Sequence, residues 1–425
     1  MAPNPQKNTT YHDVPCPFCS LLCDDLVISN NNGKLKVIDH GCHRAVQQFE
    51  KKLPVLKPKI DGKECSLQDA IKQAIKILKK SRQPLINGLA TDVNGMRSAL
   101  ALAEKTGAIV DHMHSIGAFR NLRVLQDKGW IMTTLAEIKN RADLIIFAGT
   151  DAATNYPRFF ERAVWNEYSL AKNNNKKRQL IYIGDNLDIS HAKKSGAKTP
   201  INFSCKQDQI GEIISTLHAL TVGNEINKTS VAGIKLSELE KLVGLMKKAR
   251  YGVIVWAPGE MNFSHAELTV QSIGELVKYL NRSTRFAGFS LGGNDGGVTA
   301  NSVCAWQSGY PLRINYGKGY PEHDPYKFSA GKVLKRMEVD AMLWISGFNS
   351  EIKPPNAKIP TILLSSNGVK SSHNPDVFIP IGIPGLNHTG QLFRTDSIVS
   401  LKLKKVKDDN QPAASEILDQ ILQGL

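Results

Sequence analysis

From Ser66 onward the apolar positions of this chain switch repeatedly between a helical and an extended pattern. Leu67, Ala70, Ile71, Ala74, Ile75 and Leu78 recur at three- and four-residue spacing, the signature of one buried helix face. Ser66 precedes them as an N-cap, and Asp69 adds a carboxylate to the first turn. Pro84 to Gly88 then reads as a short buried strand, Gly95 to Thr106 as a helix and Ala108 to Asp111 as a strand. The alternation continues with a helix near Leu135, a strand at Asp143 to Ala148, a helix at Arg158 to Asn166 and, after a polar Asn/Lys loop, a strand at Gln179 to Ile183. Helices at Gln209 to Thr221, from Leu236 and around Leu268 to Leu280 flank a strand at Tyr251 to Trp256. A Gly-rich stretch, Gly288 to Gly297, precedes the strands Ala341 to Ile345 and Thr361 to Leu364. Strand, helix, strand in repetition predicts an α/β fold with parallel sheets.

The chain before Ser66 has a different character. Asp25 to Ser29 and Lys34 to Ile38 flank Asn30-Asn31-Asn32-Gly33, which has the turn chemistry of a hairpin. Pro54 to Gly62 carries two prolines and no period, and reads as a linker at a domain boundary. Several later strands end in glycine turns: Gly149-Thr150-Asp151, Gly184-Asp185-Asn186, Pro258-Gly259 and Gly347-Phe348-Asn349. Ligands bearing phosphate or ribose sit beyond such strand ends in open α/β sheets, because backbone N–H groups point there. Ordinary strand-to-helix turns need the same residues, and neither a G-x-G-x-x-G fingerprint nor a P-loop is present.

The densest candidate chemistry lies in the first segment. Cys16, Cys19 and Cys23 form C-x2-C-x3-C, and Cys42 follows nineteen positions later in Gly41-Cys42-His43. Thiolates on a tight loop suit zinc or an iron-sulfur cluster. Zinc usually takes two paired knuckles, so an asymmetric triplet with a single fourth cysteine favours a four-iron cluster. A packed patch of reduced cysteines is the plainer alternative. Cys65, Cys205 and Cys304 are isolated and read as buried structural thiols. Glu260, His265 and Glu267 share one short stretch, but their context suggests surface residues. His323-Asp324 and Ser365-Ser366 lack partners for acid–base or nucleophilic work.

At 425 residues the chain exceeds one ordinary core, so two or three domains are expected. No apolar run reaches the ~18 residues of a membrane span, and Met1 to Thr10 is polar, so a cytoplasmic location is expected. The odd count of seven cysteines and the metal-like spacing of four of them fit a reducing compartment better than a disulfide framework. The formal charge of +15 is dispersed in short clusters at Lys79-Lys80, Lys176-Lys177-Arg178, Lys193-Lys194, Lys247-Lys248 and Lys402 to Lys407. Such an excess is mostly solvated surface and also favours polyanionic partners. Nucleic acid is disfavoured, since aromatic residues are not interleaved with the clusters and no binding motif is present.

The cysteine loop followed by repeated α/β units resembles the large subunit of molybdopterin or tungstopterin oxidoreductases. The closer resemblance is to the B subunit of formylmethanofuran dehydrogenase and to its relative in the methylotroph formyltransferase/hydrolase complex. It rests on Cys16 to Asp25; Thr134 to Asp143; Leu291-Gly292-Gly293-Asn294-Asp295; Trp306-Gln307-Ser308-Gly309-Tyr310-Pro311; and Gly385 to Asp396. It implies a formate dehydrogenase/DMSO reductase-like architecture: a Cys-rich loop domain at residues 1–58, a discontinuous α/β domain at 59–128 and 301–425, and a Rossmann-like domain at 129–300. It also implies a pterin cleft, to which Gly149, Asp151, Gly292, Gly293 and Asn294 would belong, and partner subunits in a heteromeric complex. Cys16, Cys19, Cys23 and Cys42 would hold a 4Fe-4S cluster or structural zinc.

Two departures from the family pattern bear on activity. In the dehydrogenases a cysteine or selenocysteine followed by histidine ligates the pterin metal; here those positions read Met113 and His114. A neutral thioether is no substitute for an anionic thiolate or selenolate. After Gly149, where relatives carry Asn-Pro, the chain reads Asp151-Ala152, and a carboxylate there repels phosphate by about 1–4 kcal/mol near 4 Å, depending on dielectric. The tungsten or molybdenum pterin is therefore expected to be absent. The resulting reading is a structural B subunit of a formyltransferase/hydrolase complex in tetrahydromethanopterin-linked oxidation of formaldehyde to formate, with formyl transfer and hydrolysis on other subunits. The polyglutamate tail of a methanofuran-type carrier is a candidate polyanionic partner. The alternatives are a working formylmethanofuran dehydrogenase and, remotely, a zinc-stabilised nucleic-acid-binding protein.

Overall fold

The parallel α/β alternation written into the hydrophobic pattern is what the chain forms. The structure, a computed structural model, describes residues 8–52, 54–166, 169–170, 177–348, 351–367 and 374–425. Asn349 of one glycine turn, Lys176 of one basic cluster and most of the polar Asn/Lys loop lie outside the described residues. The chain divides into two compact units, Met1–Ser115 with Gly293–Leu425, and Ile116–Gly292.

In the first unit, Thr9–Val14, Leu26–Asn31 and Lys34–Asp39 make an antiparallel three-stranded sheet, the last two joined by the Asn-Gly hairpin. Among the described residues its main sheet has nine strands, with five parallel strands at the centre. Their order is Ile109–Val110, Pro84–Ala90, Ala341–Ser346, Thr361–Ser365 and Val377–Pro380. The helix Leu67–Lys80 begins at Ser66, whose hydroxyl accepts the Asp69 N–H, and it buries Ala70, Ile71, Ala74 and Leu78. The helices Val93–Thr106 and Ala414–Gln423 pack into the same core, which contains Ile86, Leu343, Leu364, Ile417 and Ile421. Part of the expected linker is ordered instead: Lys59–Ile60 pairs antiparallel with Val377–Pro380 and turns back as Lys63–Glu64. A sheet edge offers backbone groups that satisfy even a short segment without a hydrophobic pattern.

The second unit has five parallel strands in the order Ile201–Phe203, Gln179–Ile183, Leu144–Ala148, Gly252–Trp256 and Phe286–Ser290. The helices Ile210–Val222, Leu236–Lys248 and Ala266–Leu280 bury Ile213, Leu217, Leu242, Ile273 and Leu276 against it. Phe147 stacks on Tyr182 at 4.8 Å and on Phe160 at 5.5 Å. The expected helix at Arg158 to Asn166 is a correction. Pro157 limits the preceding helix to Ala152–Asn155, and Phe160–Val164 forms one wide turn in which Trp165 N–H reaches Phe160 O at 2.7 Å. The strand Phe286–Ser290 and the helices Ser115–Lys128 and Gly297–Ser308 were not foreseen. Gly288 interrupts the strand pattern because a side chain there would stand 2.7 Å from the Trp256 ring.

Candidate functional site

The four cysteines of the N-terminal segment come together around one loop. Cys16, Cys19 and Cys23 are buried, Cys42 is half-buried, and none of the four is in a disulfide. Leu22 adopts φ 45°, and its N–H bonds to Cys19 O at 3.1 Å, while Cys16 N–H reaches Cys23 O at 2.8 Å. This closes the C-x2-C-x3-C segment into a tight coil. Cys42 caps the helix His43–Phe49 and accepts the Ala45 N–H on its sulfur at 3.5 Å. Burial pushes the Cys16 thiol well up, and the neighbouring Cys19, Cys23 and Cys42 push it further, against the Phe18 N–H that bonds to its sulfur. Burial also raises Cys19, opposed by the N–H groups of Leu21 and Leu22 and by the Arg44 charge.

Backbone N–H groups and a cation aimed at clustered sulfurs are what a bound thiolate-metal centre requires. Four clustered thiols are a donor set that either zinc or an iron-sulfur cluster can use.

Two of the family motifs meet on the cysteine loop at Ser20. Its N–H donates to Asn294 Oδ1 at 3.0 Å, and its carbonyl accepts the Thr395 N–H at 2.8 Å. Gly293 precedes Asn294 with φ +80°, and a Cβ there would stand 2.1 Å from Val298, so a side chain would force this loop off the cysteines. Asp295, next in sequence, brings His114 into the same cluster through an Oδ2–Nε2 contact of 2.8 Å.

His112 lies beneath it, buried, with Nδ1 accepting the His114 N–H at 3.0 Å and Nε2 facing Asp295 O at 3.1 Å. Those partners assign the Nε2–H tautomer. Burial, with His114 second, pulls the His112 pKa down to about 4 and keeps it neutral. Asp111 accepts the N–H groups of His112 and Ala330, each at 2.8 Å, and lies 3.4 Å from Arg313 Nε. Burial nevertheless pushes its carboxyl up.

Met113 is half-buried and packs against the apolar cluster of Leu85, Phe328 and Trp344. Its N–H reaches Gly88 O at 3.3 Å. The thioether thus has a packing role.

Gly149 and Asp151 belong to the second unit, at the end of the strand Leu144–Ala148. Gly149 has φ +66°, and a Cβ there would strike Ile210 Cδ1 at 2.4 Å. Asp151 caps the following turn by accepting the Thr154 N–H at 3.1 Å. Arg158, a candidate to offset that charge, directs Nε to Glu161 Oε2 at 2.9 Å.

Glu260, expected at the surface, is half-buried. It accepts Asp151 N–H at 3.0 Å, Asn155 Nδ2 at 2.9 Å and Thr150 Oγ1 at 3.3 Å. Burial raises its pKa first, and those three donors oppose the rise. Its role was invisible in the sequence because more than a hundred residues separate it from its partners. Two carboxylates at this turn do not fit a phosphate-bearing cofactor. Gly292, at the end of this unit, follows Leu291, whose N–H bonds to Trp256 O at 2.8 Å.

The remaining candidates have structural partners. Glu267 pairs with Arg123 at 2.7 Å, and exposed His265 lies 3.9 Å from it. Asp324 caps a turn through the N–H groups of Tyr326 and Lys327, and His323 stacks on Tyr310. Ser365 Oγ donates to Asn367 O at 2.6 Å. Burial pushes Cys304 up to about 12 and Cys205 up to about 11, values of inert thiols, while Cys65 is half-buried.

No family model matches the sequence. The B subunit of the tungsten-containing formylmethanofuran dehydrogenase 2 of Methanocaldococcus jannaschii is 29% identical over 412 residues, covering 93% of each chain. The B subunit of the formyltransferase/hydrolase complex Fhc of Methylorubrum extorquens is 26% identical over 339 residues, 79% of this chain and 87% of its own. Among solved structures, a chain of the Methylorubrum extorquens formyltransferase/hydrolase complex FhcABCD, determined with methylofuran, matches with a TM-score of 0.72 and 25% identity, over 86% of this chain and 98% of that one. Over 79% to 93% of its length, the chain is similar to the B subunits of formylmethanofuran dehydrogenase and of the formyltransferase/hydrolase complex.

Proposed function

We propose that this chain is the B subunit of a formyltransferase/hydrolase complex in one-carbon metabolism, one that keeps an oxidoreductase fold of the DMSO reductase-like kind and has given up its pterin centre. The observation that carries the loss is Met113, packed in an apolar cluster where the dehydrogenases place an anionic metal ligand. Glu260 and Asp151 at the phosphate-binding turn point the same way. In this reading the chain assembles with the other subunits, which perform formyl transfer and hydrolysis, and it works in the cytoplasm. No helix among its described residues is long and apolar enough to cross a membrane.

Cys16, Cys19, Cys23 and Cys42 would hold a 4Fe-4S cluster, which supplies one-electron transfer capacity and a covalent staple for the loop when bound. The basic surface would receive the acidic tail of a furan-type carrier. A cavity of about 550 Å³ lined by Lys193, Lys194 and Lys198 offers that charge in concentrated form. A working dehydrogenase is the second reading, favoured by the intact cysteine set.

Elemental analysis of the natively purified complex separates the two. The proposal expects neither tungsten nor molybdenum, with iron near four per chain if the cysteines hold a cluster. One pterin metal per chain would overturn it.

A further inference from the structure

The donors around Glu260 point to a role beyond that of a half-buried acid. Thr150, Asp151 and Asn155 contribute a hydroxyl, a backbone N–H and a side-chain amide, and all three converge on the two oxygens of one carboxylate. Such a trio, arrayed on one short segment beyond a parallel strand, is the donor set that elsewhere receives phosphate oxygens. Here the chain fills it from within.

The topology explains how. Leu144–Ala148 and Gly252–Trp256 are adjacent parallel strands, paired from Gly252 with Leu144 to Val255 with Phe147, so the turns that follow them emerge side by side. Glu260 is held in the second turn by its own N–H on Ala257 O, at 3.0 Å, and by its carbonyl, which accepts the Asn262 N–H at 3.0 Å.

We propose that Glu260 is a built-in anion that closes the 150–155 cradle to phosphate-bearing ligands. An incoming phosphate would have to displace a carboxylate that already satisfies every one of these donors, and would then face the Asp151 carboxylate as well. This inference rests on the reading of a lost pterin centre and gives that loss a specific device. It also implies that the cradle itself survives and can be reopened.

The test uses inorganic pyrophosphate as the probe and the purified full-length chain, with calorimetric titration of the wild type, Glu260→Ala and Glu260→Gln, and circular dichroism to verify folding. Glu260→Ala vacates the cradle and is expected to bind pyrophosphate at least tenfold more tightly than the wild type. Glu260→Gln keeps the shape but removes the charge, and is expected to gain at least threefold, which carries the test if the alanine variant does not fold. Adding Asp151→Asn to either variant should raise the affinity further. Equal binding by wild type and variants, or no gain in a folded variant, overturns the proposal. Metal content of the native complex reads the loss of the pterin separately: a complex without tungsten or molybdenum whose Glu260 variants gain nothing refutes the device alone, and one containing either metal refutes the wider reading.

Discussion

His112 makes a pH-dependent contribution to stability that can be worked from its surroundings. Its ring is buried, one nitrogen accepts the His114 N–H, the other faces a carbonyl, and the folded pKa falls to about 4. An unfolded histidine titrates near 6.5. Because the folded pKa is depressed, the unfolded chain binds the extra proton between about pH 6.5 and pH 4, and stability falls as pH falls through that window. For a single group with these values, lowering pH from 7 to 5 removes about 2 kcal/mol.

The groups facing His112 are His114 and Asp295, with Asp111 on the same strand end. A His112→Gln variant keeps all three groups, so the difference between the two proteins reports on the His112 imidazole. The assay is guanidinium unfolding at pH 7 and pH 5 of wild type and His112→Gln. The wild type is expected to lose about 2 kcal/mol more than the variant over that interval. Equal losses would refute the claim that burial holds this imidazole neutral.

Three further outcomes follow from particular contacts. Arg178 is buried and donates to the carbonyls of Ala163 at 2.9 Å, Ile138 at 3.0 Å and Lys139 at 2.6 Å, and to that of Val164. Arg178→Met should therefore destabilise the second unit by about 3 kcal/mol or more, read as a lower denaturation midpoint, and an unchanged midpoint would show the bonds to be dispensable. Cys19→Ser should lower the iron content of the native complex and the thermal stability of the chain together; unchanged values would assign the four thiols a packing role only. Replacing Lys193 and Lys198 by glutamate should weaken binding of a polyglutamate-tailed carrier severalfold at low salt, with the difference shrinking at high salt. Affinity indifferent to both charge and salt would remove that cavity from the carrier's path.

Local signals were enough to identify the elements whose stabilising partners lie close in sequence. The helix Leu67–Lys80 has its cap and its apolar face within one stretch, and the Asn-Gly hairpin carries its own turn. The cysteine spacing likewise announced a tight coil, because closing it needs only the residues between the cysteines. Arg178 shows the limit. In sequence it is the end of a basic cluster, and in the fold it is 1% exposed and binds the last carbonyls of two short helical segments. Charge composition cannot distinguish a solvated arginine from one with four buried acceptors.

Glu260 and Asn294 show the same limit at the candidate site. The pairing of parallel strands carries Glu260 to Thr150, Asp151 and Asn155, and a glycine with positive φ carries Asn294 to the cysteine loop 274 residues away. The sequence by itself determined the alternation of strands and helices and the close spacing of Cys16, Cys19 and Cys23, since each is a matter of residue type at short range. Only the tertiary structure decided which carboxylate meets the donors of Thr150, Asp151 and Asn155 and which histidine stays neutral. Those properties depend on desolvation and on donors supplied by distant segments, and both exist only once the sheets have assembled.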